Sequence, residues 1–130
     1  MTHSLGGSTV VEWCKKHTAD ILGVFMVAVP GVHDVNFPET MSGYQTPPLT
    51  RLPFPSVVLA STDDPYCEID RAKYFAKTWG SKFISVGDLG HINTDSNLAE
   101  WPEGQRQLNS FVGSLGLDGY NTSVKITVDN

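Results

Sequence analysis

A serine hydroxyl becomes a useful nucleophile only when a base can take its proton and a third group orients that base. Three stretches of this chain offer those residue types. Ser4 lies in Thr2-His3-Ser4-Leu5-Gly6-Gly7, Asp64 in Thr62-Asp63-Asp64-Pro65, and His91 in Gly87-Asp88-Leu89-Gly90-His91. The first stretch has the form of a nucleophile elbow, a sharp strand-to-helix turn with small residues two before and two after the serine. The crowding of such a turn excludes a bulky side chain nearby. Gly6 meets that requirement; Thr2 stands where glycine is usual, so the match is partial. Imidazole titrates near neutrality and suits His91 to the role of base. Asp64 would orient the ring and stabilise its charged form, and the Leu5 N–H would serve an oxyanion hole. Each group also has a plainer reading: a Ser/Gly-rich turn, a turn aspartate before proline, a surface or capping histidine.

The elements around these groups decide between the readings. Val10, Trp13, Cys14 and His17 recur at helical spacing, which predicts a helix over about 6–17 with that face inward. His17 would sit at its C-terminus for the dipole. Residues 21–29 are nearly all apolar without alternation, as in a strand buried on both faces. Five prolines crowd 31–55, predicting a stiffened loop with a short helix near 37–43; His33-Asp34 reads there as surface polarity rather than a metal site. A second strand is expected over 56–61 and a helix over 68–79, with Ile69, Ala72, Ala76 and Trp79 inward and Gly80 as its stop. A third strand covers 82–86. A last helix begins at Pro102, with Leu108, Phe111, Val112 and Leu115 as its stripe. The alternation predicts an α/β domain with a parallel sheet, whose strand C-termini share one edge. Ser4, Asp64 and His91 all fall at that edge, in the chain order Ser, Asp, His found in α/β-hydrolases.

Composition narrows the function. With 130 residues and 40% hydrophobic content the chain suits one globular domain. A net charge of −5 argues against a nucleic-acid partner. No apolar run approaches the ~20 residues of a membrane span, and no secretory signal is visible, so the expected location is cytoplasmic. Cys14 and Cys67 are expected as reduced thiols, and Asn121-Thr122-Ser123 as a chance glycosylation match. No metal-ligand cluster or phosphate-binding glycine loop occurs, so neither a metal nor another cofactor is expected.

Several longer words now add a resemblance. Thr-His-Ser-Leu-Gly at 2–6, Leu-Pro-Phe-Pro-Ser-Val-Val-Leu-Ala-Ser at 52–61 and Asp-Asp-Pro-Tyr-Cys at 63–67 resemble the C-terminal part of the retinoblastoma-binding-protein-9-like serine hydrolases. Ala-Lys-Thr-Trp-Gly-Ser at 76–81, Gly-His-Ile-Asn at 90–93 and Trp-Pro-Glu-Gly at 101–104 extend it, so that it covers about 2–115. The resemblance implies Ser4 as nucleophile, His91 as base and Asp64, directly before the proline, as the acid. The Leu-x-Cys-x-Glu word of the animal namesake is absent, so its binding role does not carry over.

The family fold has more chain before the elbow than the three residues found here. The expectation is therefore a partial α/β-hydrolase fold: three layers, a short, mostly parallel sheet and no N-terminal strands. It would span 1–116 and be followed by a tail over 117–130. An internal start codon or a truncated gene product would explain this; a partner chain completing the sheet is the competing idea. The expected activity is hydrolysis of small esters or amides through an acyl-enzyme. The alternative is a non-catalytic remnant or interaction module, self-associating through an exposed edge of the 21–29 strand. Trp101, Phe37, Tyr44 and Tyr66 could line a pocket or serve packing.

Overall fold

A computed structural model describes residues 1–17, 19–32, 39 and 46–116. The proposed helix near 37–43, together with Phe37, Tyr44, His33, Asp34 and the 117–130 tail, lies outside the described residues. Eight elements follow in order: strand β1 (Thr2–His3), helix α1 (Leu5–Trp13), strands β2 (Val24–Val27) and β3 (Ser56–Ala60), helix α2 (Ile69–Trp79), strand β4 (Lys82–Ser85), a 3₁₀ turn (Thr94–Ser96) and helix α3 (Pro102–Ser114). The sheet runs β1-β2-β3-β4 with every neighbouring pair parallel.

Alternation along the strands divides the core in two. Val24 and Met26 of β2, with Val58 and Ala60 of β3, face α1 and α2 through Val11, Ala72, Phe75, Ala76 and Trp79. Phe25, Val27, Val57 and Leu59 point the other way, against Ile92 and Trp101, with Leu108 and Phe111 of α3 packed beside them. Both faces of β2 and β3 are thus buried, which is why their sequences run apolar without a polar partner in alternation. The result is the three-layer α/β fold expected from the order of elements.

Three expectations change. First, α1 presents Gly7, Ser8 and Val11 to the core rather than the Val10–Trp13–Cys14–His17 face. The turn at Ser4 fixes the helix phase: a Cβ on Gly7 would lie 2.6 Å from Val29 Cγ2, so the backbone itself sits against the sheet at this point. Trp13, 37% exposed, stacks on His17 with ring centroids 5.0 Å apart, and only Val10 of the expected face packs partly on the core. Second, β2 is shorter than 21–29. Leu22 is 61% exposed, and Ala28 leaves the strand with φ 53°. Third, β2 does not lose its neighbour altogether. Thr2 pairs with Met26 and His3 with Val27, and Ser4 continues the ladder by donating its N–H to the Val27 carbonyl at 2.9 Å. α2 and α3 start within one residue of expectation, with Phe75 joining the inward face of α2.

Candidate active site

Ser4 stands between β1 and α1 with φ 54° and ψ −129°, a combination sparsely populated by residues carrying a Cβ. This backbone turn lifts the side chain off the sheet edge. Its Oγ lies 2.8 Å from His91 Nε2. Across the ring, Nδ1 is 3.0 and 2.9 Å from the two carboxylate oxygens of Asp64. The donors follow from the acceptors. An ionised carboxylate can only accept, so Nδ1 carries the proton, and Nε2 is left with a lone pair for the serine hydroxyl. The His91 and Asp64 side chains are 9% and 2% exposed, so little water competes for these bonds. Asp64 Oδ1 also accepts the Tyr66 N–H at 2.9 Å. Tyr66 meets the His91 ring edge-on at 4.6 Å. Leu5 is the first residue of α1, where the leading N–H groups have no acceptor within the helix.

The loop carrying His91 is pinned by polar side chains that the motif reading passed over. Ser61, fully buried, accepts the Leu89 N–H at 2.8 Å and donates to Asp63 Oδ1 at 2.7 Å. Asp63 Oδ1 accepts the Gly90 N–H at 2.7 Å. Thr62 donates its hydroxyl to Asp88 and its N–H to the Gly87 carbonyl. Ser96 closes the far side of the loop by donating to the Leu89 carbonyl at 2.6 Å. The two aspartates at the end of β3 therefore divide the work: Asp64 holds the imidazole ring, and Asp63 holds the backbone just before it. No local sequence signal marks Asp63, whose bond to the Gly90 N–H spans 27 residues.

The Ser61 hydroxyl, followed by the Gly90 N–H, holds the Asp63 carboxyl below its ordinary 3.8. A lowered carboxyl value means that the clasp is complete above 3.8 and is lost as pH falls through the folded-state value below it. Amide hydrogen exchange at Gly90 is thus expected to lose protection in that acid range. The Asp63→Asn variant should lack this dependence. Unchanged Gly90 protection down to global acid unfolding would remove Asp63 from the clasp.

Beside His91, between the 63–66 turn and the 88–96 loop, lies a cleft of about 360 Å³ bordered by Asp63, Tyr66, Asp88, His91, Asn93 and Asp95. Tyr66 is thus placed as a pocket residue. Trp101 is not: it is 5% exposed and belongs to the core beneath α3. A Cβ on Gly104 would lie 2.1 Å from the Trp101 ring, which packs directly on the first turn of that helix. Among the described residues no group of three or more His, Cys, Asp or Glu could hold a metal ion. Among them, too, no helix is long and apolar enough to cross a membrane.

A parallel sheet between helix layers, with a strained serine at a strand–helix junction and its partners on loops at the same edge, defines the α/β-hydrolase class. The serine hydrolase family profile matches residues 1–110, and the chain belongs to that family. The match is to the serine hydrolase family and does not resolve the retinoblastoma-binding-protein-9-like resemblance within it. Among solved structures, a YdeN-like hydrolase from Pectobacterium atrosepticum superposes with a TM-score of 0.72 at 30% identity. The similarity covers 87% of this chain and 58% of that one, so the chain spans less than two thirds of the neighbour's length. No curated protein matches the chain.

Proposed function

We propose that the chain hydrolyses small esters or amides, with Ser4 as nucleophile, His91 as general base and acid, and Asp64 as the group that sets the imidazole tautomer. One observation carries this reading: the unbroken run of hydrogen bonds from Asp64 through both nitrogens of His91 to Ser4 Oγ. As Ser4 Oγ attacks the substrate carbonyl, its proton passes to His91 Nε2. Asp64 stabilises the resulting imidazolium without taking the Nδ1 proton. The carbonyl oxygen gains negative charge, which the Leu5 N–H and the positive end of α1 oppose. Collapse expels the alcohol or amine with the proton from Nε2 and leaves an acyl group on Ser4. Water, deprotonated by the same nitrogen, then releases the acid and restores the serine.

The test is labelling of the purified chain with a fluorophosphonate, which reacts only with an activated serine. Labelling of one equivalent, confined to the peptide containing Ser4 and absent from Ser4→Ala and His91→Ala, is the expected result. A folded chain that remains unlabelled would overturn the proposal. Hydrolysis of short-chain p-nitrophenyl esters then reads the substrate class.

A further inference from the structure

We propose that His3 is a positioning residue for His91, an inference that rests on the catalytic reading above. β1 places the two side chains before the serine on opposite faces of the sheet. Thr2, paired with Met26, sits against Gly6, while His3, paired with Val27, turns toward the side where the 88–96 loop lies. There His3 Nε2 lies 2.9 Å from the main-chain carbonyl of His91. A carbonyl oxygen cannot donate, so Nε2 of His3 carries the proton. The His3 ring also leans on the His91 ring, with centroids 5.1 Å apart at 56°. The strand that ends in the nucleophile thus grips, one residue earlier, the backbone of the residue that bears the base.

The grip has a geometric purpose. Asp63 and Ser61 secure the loop at Leu89 and Gly90, on the β3 side of His91. Asp64 fixes the ring at Nδ1. Neither fixes how far the His91 backbone stands from β1, and that separation sets the 2.8 Å between Nε2 and Ser4 Oγ. The His3 bond spans that gap directly. Misplacement of a base by even about 1 Å can cost two orders of magnitude in rate, so one modest bond here has a large lever.

Three variants separate donor, reach and ring. Glutamine sets its amide nitrogen near the place of Nε2, so His3→Gln keeps the bond. His3→Asn falls one methylene short, and His3→Phe keeps a ring without a donor. The rate of fluorophosphonate labelling is expected to fall about tenfold in H3N and H3F, the scale of one lost hydrogen bond, and to stay within about threefold in H3Q. Equal rates in all three would overturn the proposal.

A second readout is independent of activity. Imidazole nitrogen shifts recorded at about pH 8, where unperturbed histidines are neutral, should report His3 as the Nε2–H tautomer in the unsubstituted chain. The low-field Nδ1 proton of His91 should persist in H3Q and broaden in H3F. A His3 found as the Nδ1–H tautomer would overturn the proposal without any variant. If the His3 tautomer and the His91 Nδ1 proton pattern of H3Q and H3F hold while the unsubstituted chain fails to label, the hydrolase reading falls and the positioning of His91 by His3 stands.

Discussion

Asp64→Asn is expected to lower fluorophosphonate labelling by about four orders of magnitude while leaving the fold intact. The size follows from hydrogen-bond inventory rather than from lost charge alone. Oδ1 of Asp64 serves two donors, the Tyr66 N–H and His91 Nδ1–H. In the variant the Tyr66 N–H still needs an acceptor and keeps the amide oxygen on its side. The amide NH₂ is then directed to the position of Oδ2, 2.9 Å from Nδ1 in the parent chain. A donor there forces Nδ1 to accept, so the ring proton moves to Nε2. Nε2 now presents a proton to Ser4 instead of a lone pair, and the serine has no base. Circular dichroism and a thermal melt would verify folding; labelling within tenfold of the parent would show that Asp64 does not set the tautomer.

The second large effect concerns Ser4 and has opposite signs for reactivity and stability. Either Ser4→Ala or Ser4→Gly removes the nucleophile, and labelling should vanish. The two should differ in stability. Alanine keeps a Cβ in a conformation with φ 54°, where residues other than glycine are strained by about 1–3 kcal/mol. Glycine relieves that strain, offset by about 0.5–1 kcal/mol for its freer unfolded chain. Ser4→Gly is therefore expected to be more stable than Ser4→Ala by about 1 kcal/mol, a few degrees in the melting midpoint. Both variants lose the same contact with His91, so the comparison isolates the backbone. A Ser4→Gly chain melting below Ser4→Ala would mean that the elbow is unstrained.

What the sequence made legible depended on whether one residue or a network carried the signal. β3 and the Asp-Asp-Pro turn after it were readable because a continuous apolar run and a proline mark them locally. α2 was readable from its periodicity and from Gly80, which adopts φ 70° at the helix end. The inward face of α1 was not, because its rotation is set by the Ser4 turn and by the close approach of Gly7 to Val29 rather than by its own apolar residues. Asp63 and Ser61 were passed over for a similar reason. Their value lies in bonds to Leu89 and Gly90, more than twenty residues on, and nothing local distinguishes such a pair from an ordinary turn. His3 carried a weak signal: a ring-bearing donor beside the serine, on the opposite strand face from Thr2.

The spacing of the three side chains along the chain bears on how the molecule comes to be reactive. Asp64 and His91 are 27 residues apart and are joined through α2 and β4, which with β3 form a compact crossover unit. Ser4 meets His91 only across 87 residues. Loop closure over the longer span costs more entropy, and contacts of high sequence separation tend to form late in folding. β1, which meets its partners over the longer span, is the element expected to dock last. Acid and base would then be paired before the hydroxyl arrives, and fluorophosphonate reactivity should lag behind burial of Trp79 during refolding. On the proposed mechanism, a nucleophile completed in the final step would leave partly folded chains chemically inert, so that they would not be acylated at random while the core is still forming.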